Sequence, residues 1–268
     1  MPQKIIGLDI GSSSLKATLI KGTLGGYQFV SFHEIRYPDE PDLPEGDRLK
    51  QAVEQLMGEM TLNPDRFVAA LPGSLTSFRT LTLPFTDKKK IAQTLLFEVE
   101  GHIPFNIDEC IIDHQVIRTT EDASQVLVAI AKKSDLKNYI ELLQYAQADP
   151  FVLEPGPTSL AHTLRDTMDN VPGVFALLDL GASGSSFCII GNGKLEMVRF
   201  IPFGGNMITG AIAKSLGLSL EDAERVKQET GLILLSPEEI EDQRAVEVSD
   251  AIRKGLIPLL RDLRRTLL

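Results

Sequence analysis

The stretch GLDIGSSSLKATLIKG, residues 7–22, sets an aspartate, a Gly-Ser turn and a lysine between two apolar runs. The pattern reads as a β-hairpin: buried strand, tight turn, returning strand. The turn itself has two readings, a polar loop without chemical consequence or a cradle for a phosphate. For the second, Gly11 lets the backbone approach a ligand closely, and the successive N–H groups of Ser12, Ser13 and Ser14 form an anion-binding nest. Asp9 at the strand end suits Mg²⁺ held through water, and the Lys16 ammonium suits a β- or γ-phosphate.

A second copy of this stretch decides between them. LLDLGASGSSFCIIGNGKL (177–195) lies over the first at a constant offset of 170 residues. Asp179 falls on Asp9, Gly181 on Gly11 and Ser183 on Ser13, with Ala182 between them in the turn. One such turn is weak evidence; two in register favour phosphate. Ser186 stands where Lys16 stands, so only one hairpin is expected to supply a cation.

The bulk composition narrows the classes. At 268 residues the chain has room for one large domain or two smaller ones. Its net charge of −10 argues against a nucleic-acid binder, which carries a basic face. Cys110 and Cys188 are far apart and belong to no CxxC, which points to a reducing compartment. His33, His102, His114 and His162 lack metal-ligand spacing. No apolar run reaches the ~20 residues of a membrane helix, and the first residues enter a strand pattern without a signal-peptide core. The expectation is a soluble, cytoplasmic protein.

Three further segments carry chemistry. LEPGPTSLAH (153–162) is an extended Glu-Pro segment that opens a small-residue helix. Gly204, Gly205 and Asn206 precede the helical pattern of Met207, Ile208, Ala211, Ile212 and Leu216, so free helix N–H groups are expected to face an anion there. In SLEDAERVKQET (219–230), Ser219 is a plausible N-cap, and Glu224 and Lys227 share one helix face. As an isolated surface ion pair they would be worth well under ~1 kcal/mol.

In this order, the segments resemble the actin-like ATPase superfamily from residue 4 to the end of the chain. The resemblance implies an α/β, RNase H-like fold of two related halves, each opening on a phosphate hairpin, with ATP and Mg²⁺ in the cleft between them. It implies phosphate contacts from Asp9, Gly11, Ser12, Ser13, Ser14 and Lys16, and from Asp179, Gly181, Ala182, Ser183, Gly204, Gly205 and Asn206. Glu224 and Lys227 are expected at the ribose and base, and Asp9 and Asp179 at Mg²⁺ through water. Glu154 and Asp9 are the candidates for positioning Mg²⁺ or water if ATP is hydrolysed.

The middle of the chain narrows the resemblance. After the strand–turn–strand of 67–83 comes a helix with apolar positions 91, 92, 95, 96 and 99, strands at 110–118 and 125–133, and a helix at 134–148. An insertion at this point resembles the subdomain 1C of FtsA and PilM-type proteins, and the wording LLFEVEGHIPF resembles the PilM type. The expected division is 1–77 with 153–175 as subdomain 1A, 78–152 as 1C, 176–205 with 249–268 as 2A, and 206–248 as 2B. The stretch YPDEPDLPEGDR (37–48) is expected as an exposed loop.

The PilM-type resemblance implies an ATP-binding assembly platform of a type IV pilus or type II secretion inner-membrane complex, rather than a metabolic enzyme. Its implied partners are the N-terminal cytoplasmic peptide of PilN, in a groove between 1A and 1C, and a secretion or pilus ATPase such as GspE. Family members continue past a helix like 249–268 into a strand and a Gly-Gly adenosine motif. Neither follows here, and the last helix ends on Leu267-Leu268, which leaves two expectations: a piece of a longer chain, or a shortened relative that recognises phosphate with a reduced adenine grip. The basic residues of that helix, Arg253, Lys254, Arg261, Arg264 and Arg265, read as a solvated face. Other readings stay open: a nucleotide-free scaffold like GspL, an FtsA-like filament former, or a small-molecule kinase. The kinase would need a substrate insertion with a catalytic aspartate, which the second half lacks.

Overall fold

The computed structural model describes residues 3–38, 40, 42–60, 63–168, 173–235 and 242–267, with the backbone alone for 165–168. Leu268, residues 39 and 41 of the expected loop, and 236–241 of the expected subdomain 2B lie outside the described residues. Two compact units emerge, Met1–Leu177 with Cys188–Arg199, and Leu178–Phe187 with Phe200–Leu268.

In the first unit the opening hairpin forms as read. β1 (Lys4–Ile10) and β2 (Ser14–Thr23) pair antiparallel, with Asp9 opposite Lys16 and Ile10 opposite Leu15. Along β2, Leu15, Ala17 and Leu19 are buried at the two-residue period of a half-covered strand. β3 (Gly26–Arg36) continues the meander, while β4 (Arg66–Leu71) and β8 (Pro150–Pro155) add in parallel, giving the order β3-β2-β1-β4-β8. One face is covered by α1 (Glu45–Glu59), which begins inside the expected loop, and by α3 (Lys133–Tyr145). Leu49, Val53 and Leu56 of α1 and Tyr139 and Leu143 of α3 meet Ile6, Leu15 and Leu19 in one core.

A smaller sheet of β5 (Ser77–Leu83), β6 (Cys110–Thr119) and β7 (Ser124–Lys132) takes the order β5-β7-β6. It is backed by α2 (Lys88–Glu100), whose Ile91, Leu95 and Val99 reach Val126, Val128 and Ile130. The Asp87 carboxylate starts α2 by accepting from the amides of Lys89 and Lys90, each at 3.0 Å. Within the stretch expected as 1C, α3 thus sends its buried face to the five-stranded sheet and not to this one.

β8 leads into α4 (Gly156–Met168), as the Glu-Pro segment suggested. β9 (Val174–Leu180), β10 (Ser185–Gly191) and β11 (Lys194–Ile201) form a third sheet in the order β11-β10-β9. β9 occupies the positions of β1 displaced by 170 residues. The second unit continues through α5 (Gly205–Leu216), α6 (Leu220–Thr230) and α7 (Gln243–Leu267). Gly217, at φ 65°, ends α5, and the Ser219 hydroxyl caps α6 by accepting from the Asp222 amide at 3.0 Å. α5 and α7 cross closely: a Cβ on Gly255 would lie 3.1 Å from that of Ala211. Among the described residues no helix is long and apolar enough to cross a membrane.

Leu143, fully buried where α3 meets the sheet, gives the core assignment a test. Leu143→Ala is expected to cost about 2–5 kcal/mol, read as a lowered urea midpoint with unchanged slope. An unchanged midpoint contradicts the placement of α3.

Candidate functional site

In the first turn, the Gly11 amide donates to the Ser14 carbonyl at 3.0 Å. In the second, the Gly181 amide donates to the Gly184 carbonyl, also at 3.0 Å. The repeat is therefore one of backbone geometry as well as of sequence. Each bond pulls the chain into a loop so tight that a Cβ on Gly11 would lie 3.0 Å from the Ser14 oxygen, and one on Gly181 2.7 Å from that of Gly184. The amides between the closing residues, those of Ser12 and Ser13 and of Ala182 and Ser183, donate to no protein acceptor among the described residues. Ser12, Ser13 and Ser183 are exposed. This is the donor set a phosphate needs.

Around the first turn, Lys16 Nζ lies 3.8 Å from Asp9 Oδ2, both side chains about half exposed. Ser14 differs from its neighbours: its side chain is buried, and its hydroxyl donates to Glu34 Oε1 at 2.9 Å. Behind the turn, the Tyr37 amide donates to the Ser13 carbonyl at 3.0 Å. Leu8 pairs with Ala69 and Ala70 with Glu154, so Asp9 and Glu154 stand at the carboxyl ends of parallel strands with β4 between them. Two strand spacings separate them by roughly 10 Å, at the sheet edge where α/β proteins bind ligands. Glu154 is half buried and accepts from Thr158 Oγ1 at 3.2 Å, with His162 Nδ1 at 3.1 Å from the same oxygen.

In the second unit, the expectation of free amides at the start of α5 is corrected. The Gly205 amide donates to Gly181 O and that of Asn206 to Ala182 O, both at 2.9 Å, and the Met207 amide turns back to Gly204 O at 3.0 Å. These donors hold the turn. Gly204 is needed for that contact, since a Cβ there would lie 2.4 Å from the Ala182 oxygen. A Cβ on Gly184 would lie 2.5 Å from the far edge of the Phe200 ring, so a serine where the first turn has Ser14 would have to displace that ring. Asp179, Ser183 and Asn206 are exposed; Ser186 is buried.

Glu224 and Lys227 do meet, with Lys227 Nζ 2.6 Å from Glu224 Oε2. Lys227 also donates to Thr209 Oγ1 at 2.8 Å and to Gly205 O at 3.3 Å. Thr209 in turn donates to Glu224 Oε2, and Gln228 to Glu224 Oε1 at 2.7 Å. The pair is thus anchored to the first turn of α5. Thr209 had one signal in the sequence, a polar residue beside Ile208 and Ile212 on the buried face. Burial pushes the Glu224 carboxyl up, but the bonds from Lys227, Thr209 and Gln228 and the Lys227 charge outweigh it and hold it below its ordinary value. Among the described residues no three His, Cys, Asp or Glu side chains cluster as a metal site.

Apart from the turns, a groove of about 420 Å³ runs between α3 and β6. Apolar Ile111, Leu136 and Ile140 line it together with Lys133, Lys137, Glu141 and Gln144.

A sequence profile of the type IV pilus assembly protein PilM matches residues 7–242. The chain belongs to the PilM family. The solved PilM-PilN type IV pilus biogenesis complex contains a chain 28% identical to this one, with a TM-score of 0.80, over 98% of this chain and 76% of that chain. MreB5 of Spiroplasma citri, solved bound to AMPPNP, shares only 11% identity but has a TM-score of 0.55 over 99% of this chain and 78% of its own, which shows the actin-like fold. Cell division protein FtsA of Bacillus subtilis is 43% identical over 56 residues, spanning 21% of this chain and 13% of FtsA.

The Glu224 network makes a prediction for this PilM family member in acid. Folding favours the carboxylate, so its contribution is complete above the ordinary value of 4.5 and is lost as pH falls through the lower folded value. Urea midpoints of wild type and Glu224→Gln are expected to differ at about pH 6, and the gap is expected to narrow as pH falls below 4.5. A gap that stays constant contradicts the network.

Proposed function

We propose that this chain binds the phosphates of Mg²⁺-ATP through its two hairpin turns and serves as a platform in type IV pilus assembly, docking a PilN-like peptide in the groove of α3 and β6. The observation that carries the nucleotide part is the pair of glycine-closed turns, which leave the amides of Ser12, Ser13, Ala182 and Ser183 for an anion. Lys16 supplies the cation, Asp9 and Asp179 hold Mg²⁺ through water, and Glu224 and Lys227 meet the nucleoside. Bound Mg²⁺ would add charge neutralisation at the phosphates. The platform role is supported by membership of the PilM family and by the 28% identity to the PilM-PilN complex. Turnover of ATP, with Glu154 and Asp9 orienting a water, is secondary to binding in this reading. The protein acts at the inner membrane through its partners.

A nucleotide-free scaffold is the second reading. It is favoured by the second unit, where the α5 amides are taken by the Gly181 and Ala182 carbonyls and Glu224 and Lys227 are paired with each other.

Calorimetric titration with Mg-ATP separates the two. Lys16→Ala is expected to weaken binding by about 10- to 100-fold, the worth of one charge-assisted hydrogen bond. Unchanged affinity in that variant removes the phosphate assignment, and no binding by wild type leaves the scaffold.

A further inference from the structure

α7 turns a basic face outward. On its inner side Val248, Ala251, Ile252 and Leu259 are buried, and Gly255 lets α5 close in on them. Lys254, Ile257, Arg261, Arg264 and Arg265 lie on the opposite side, within an arc of roughly 100° at 3.6 residues per turn. The four cations of that arc are exposed. Arg253 reaches Asp250 at 4.0 Å, but Lys254, Arg261, Arg264 and Arg265 make no ion pair among the described residues. Between 251 and 267 Asp262 is the one acid in the sequence, against five cations, in a chain of net charge −10. The helix dipole accounts for Arg264 and Arg265 in the last turn, but not for Arg261 and Lys254 further in.

Apolar side chains stand among these cations. Ile257 is 50% exposed, Leu260 59% and Leu267 64%. Each lies three or four residues from an arginine, Ile257 from Arg253 and Arg261, Leu260 and Leu267 from Arg264, so charge and hydrocarbon alternate over the surface. A protein partner calls for the reverse arrangement, an apolar centre poor in charge with the charges at its rim. A lipid headgroup layer accepts the mixture, because cations meet the phosphates while their alkyl stems and isolated Ile and Leu side chains reach the apolar boundary. With α5 on its inner side, α7 can lie on such a layer without passing into it.

We propose that this face of α7 docks on an anionic lipid bilayer, with Lys254, Arg261, Arg264 and Arg265 on headgroup phosphates and Ile257 and Leu260 at the apolar boundary. The docking adds a direct membrane contact to the one made through partners. It needs neither nucleotide nor peptide, so it stands or falls separately from the proposed function.

The test floats the purified full chain with vesicles of phosphatidylcholine alone, and of phosphatidylcholine and phosphatidylglycerol in equal parts. Wild type is expected on the mixed vesicles and not on the neutral ones, with binding that weakens as salt rises from about 0.05 to 0.5 M. Each basic residue near an anionic surface is worth about fivefold in binding, so Arg261→Gln, Arg264→Gln and Arg265→Gln together are expected to lose about 100-fold. Lys88→Gln, Lys89→Gln and Lys90→Gln, at the exposed start of α2, change the net charge equally and are expected to stay within about twofold of wild type. No binding by wild type overturns the proposal and leaves the face to an acidic protein. Equal binding to both vesicles, an α7 variant that binds like wild type, or an equal loss in the α2 variant also overturns it. Should the triple α7 variant not fold, Arg261→Gln alone decides, by a loss of about fivefold or by none.

Discussion

Two main-chain hydrogen bonds of one length, Gly11 to Ser14 and Gly181 to Gly184 at 3.0 Å, set the terms for the rest of the molecule. Closing a turn over so few residues crowds any side chain at its first position, and it leaves the intervening amides without a protein acceptor among the described residues. The strands of the first sheet then enter and leave its turn as a hairpin, which fixes that sheet's antiparallel start. The same closure brings Asp9 opposite Lys16 in register. A donor pair, a carboxylate and a cation therefore share one strand end for reasons of geometry, before any ligand is considered.

The two turns are then finished differently. The first is braced from behind by the Tyr37 amide and keeps Lys16 at its mouth. The second is braced from the front by the amides of Gly205 and Asn206, and Gly204 has no side chain because the turn oxygens occupy that space. Those amides cannot serve an anion while they hold the turn. What the second unit offers instead is the linked group of Thr209, Glu224 and Lys227, in which a buried-side hydroxyl joins an ion pair to α5. A charge pair anchored in this way is worth more than a solvated one because its desolvation is offset by hydrogen bonds.

Much of this was legible in the sequence. The 170-residue repeat, the Ser219 cap, the Glu-Pro entry to α4 and the α2 face of Ile91, Leu95 and Val99 depend on local spacing, and spacing is what a sequence displays. The occupied α5 amides were not legible, because helix-start signals say nothing of carbonyls more than twenty residues away. For the same reason Ser14 was expected among the phosphate contacts, although its hydroxyl is buried and donates to Glu34 on the next strand. The sheet that α3 covers was hidden too. Its periodicity shows one apolar face, and only the contacts of Tyr139 reveal which sheet that face meets.

The central claim is that the amides enclosed by the two glycine-closed turns are the phosphate donors. Backbone amide shifts recorded by NMR during titration with Mg²⁺ and a non-hydrolysable ATP analogue read those donors directly. The account predicts large, saturable shifts at Ser12, Ser13, Ala182 and Ser183, with small ones at Gly205 and Asn206, whose N–H groups are already bonded. Saturable shifts elsewhere, with these four amides unmoved, would contradict it.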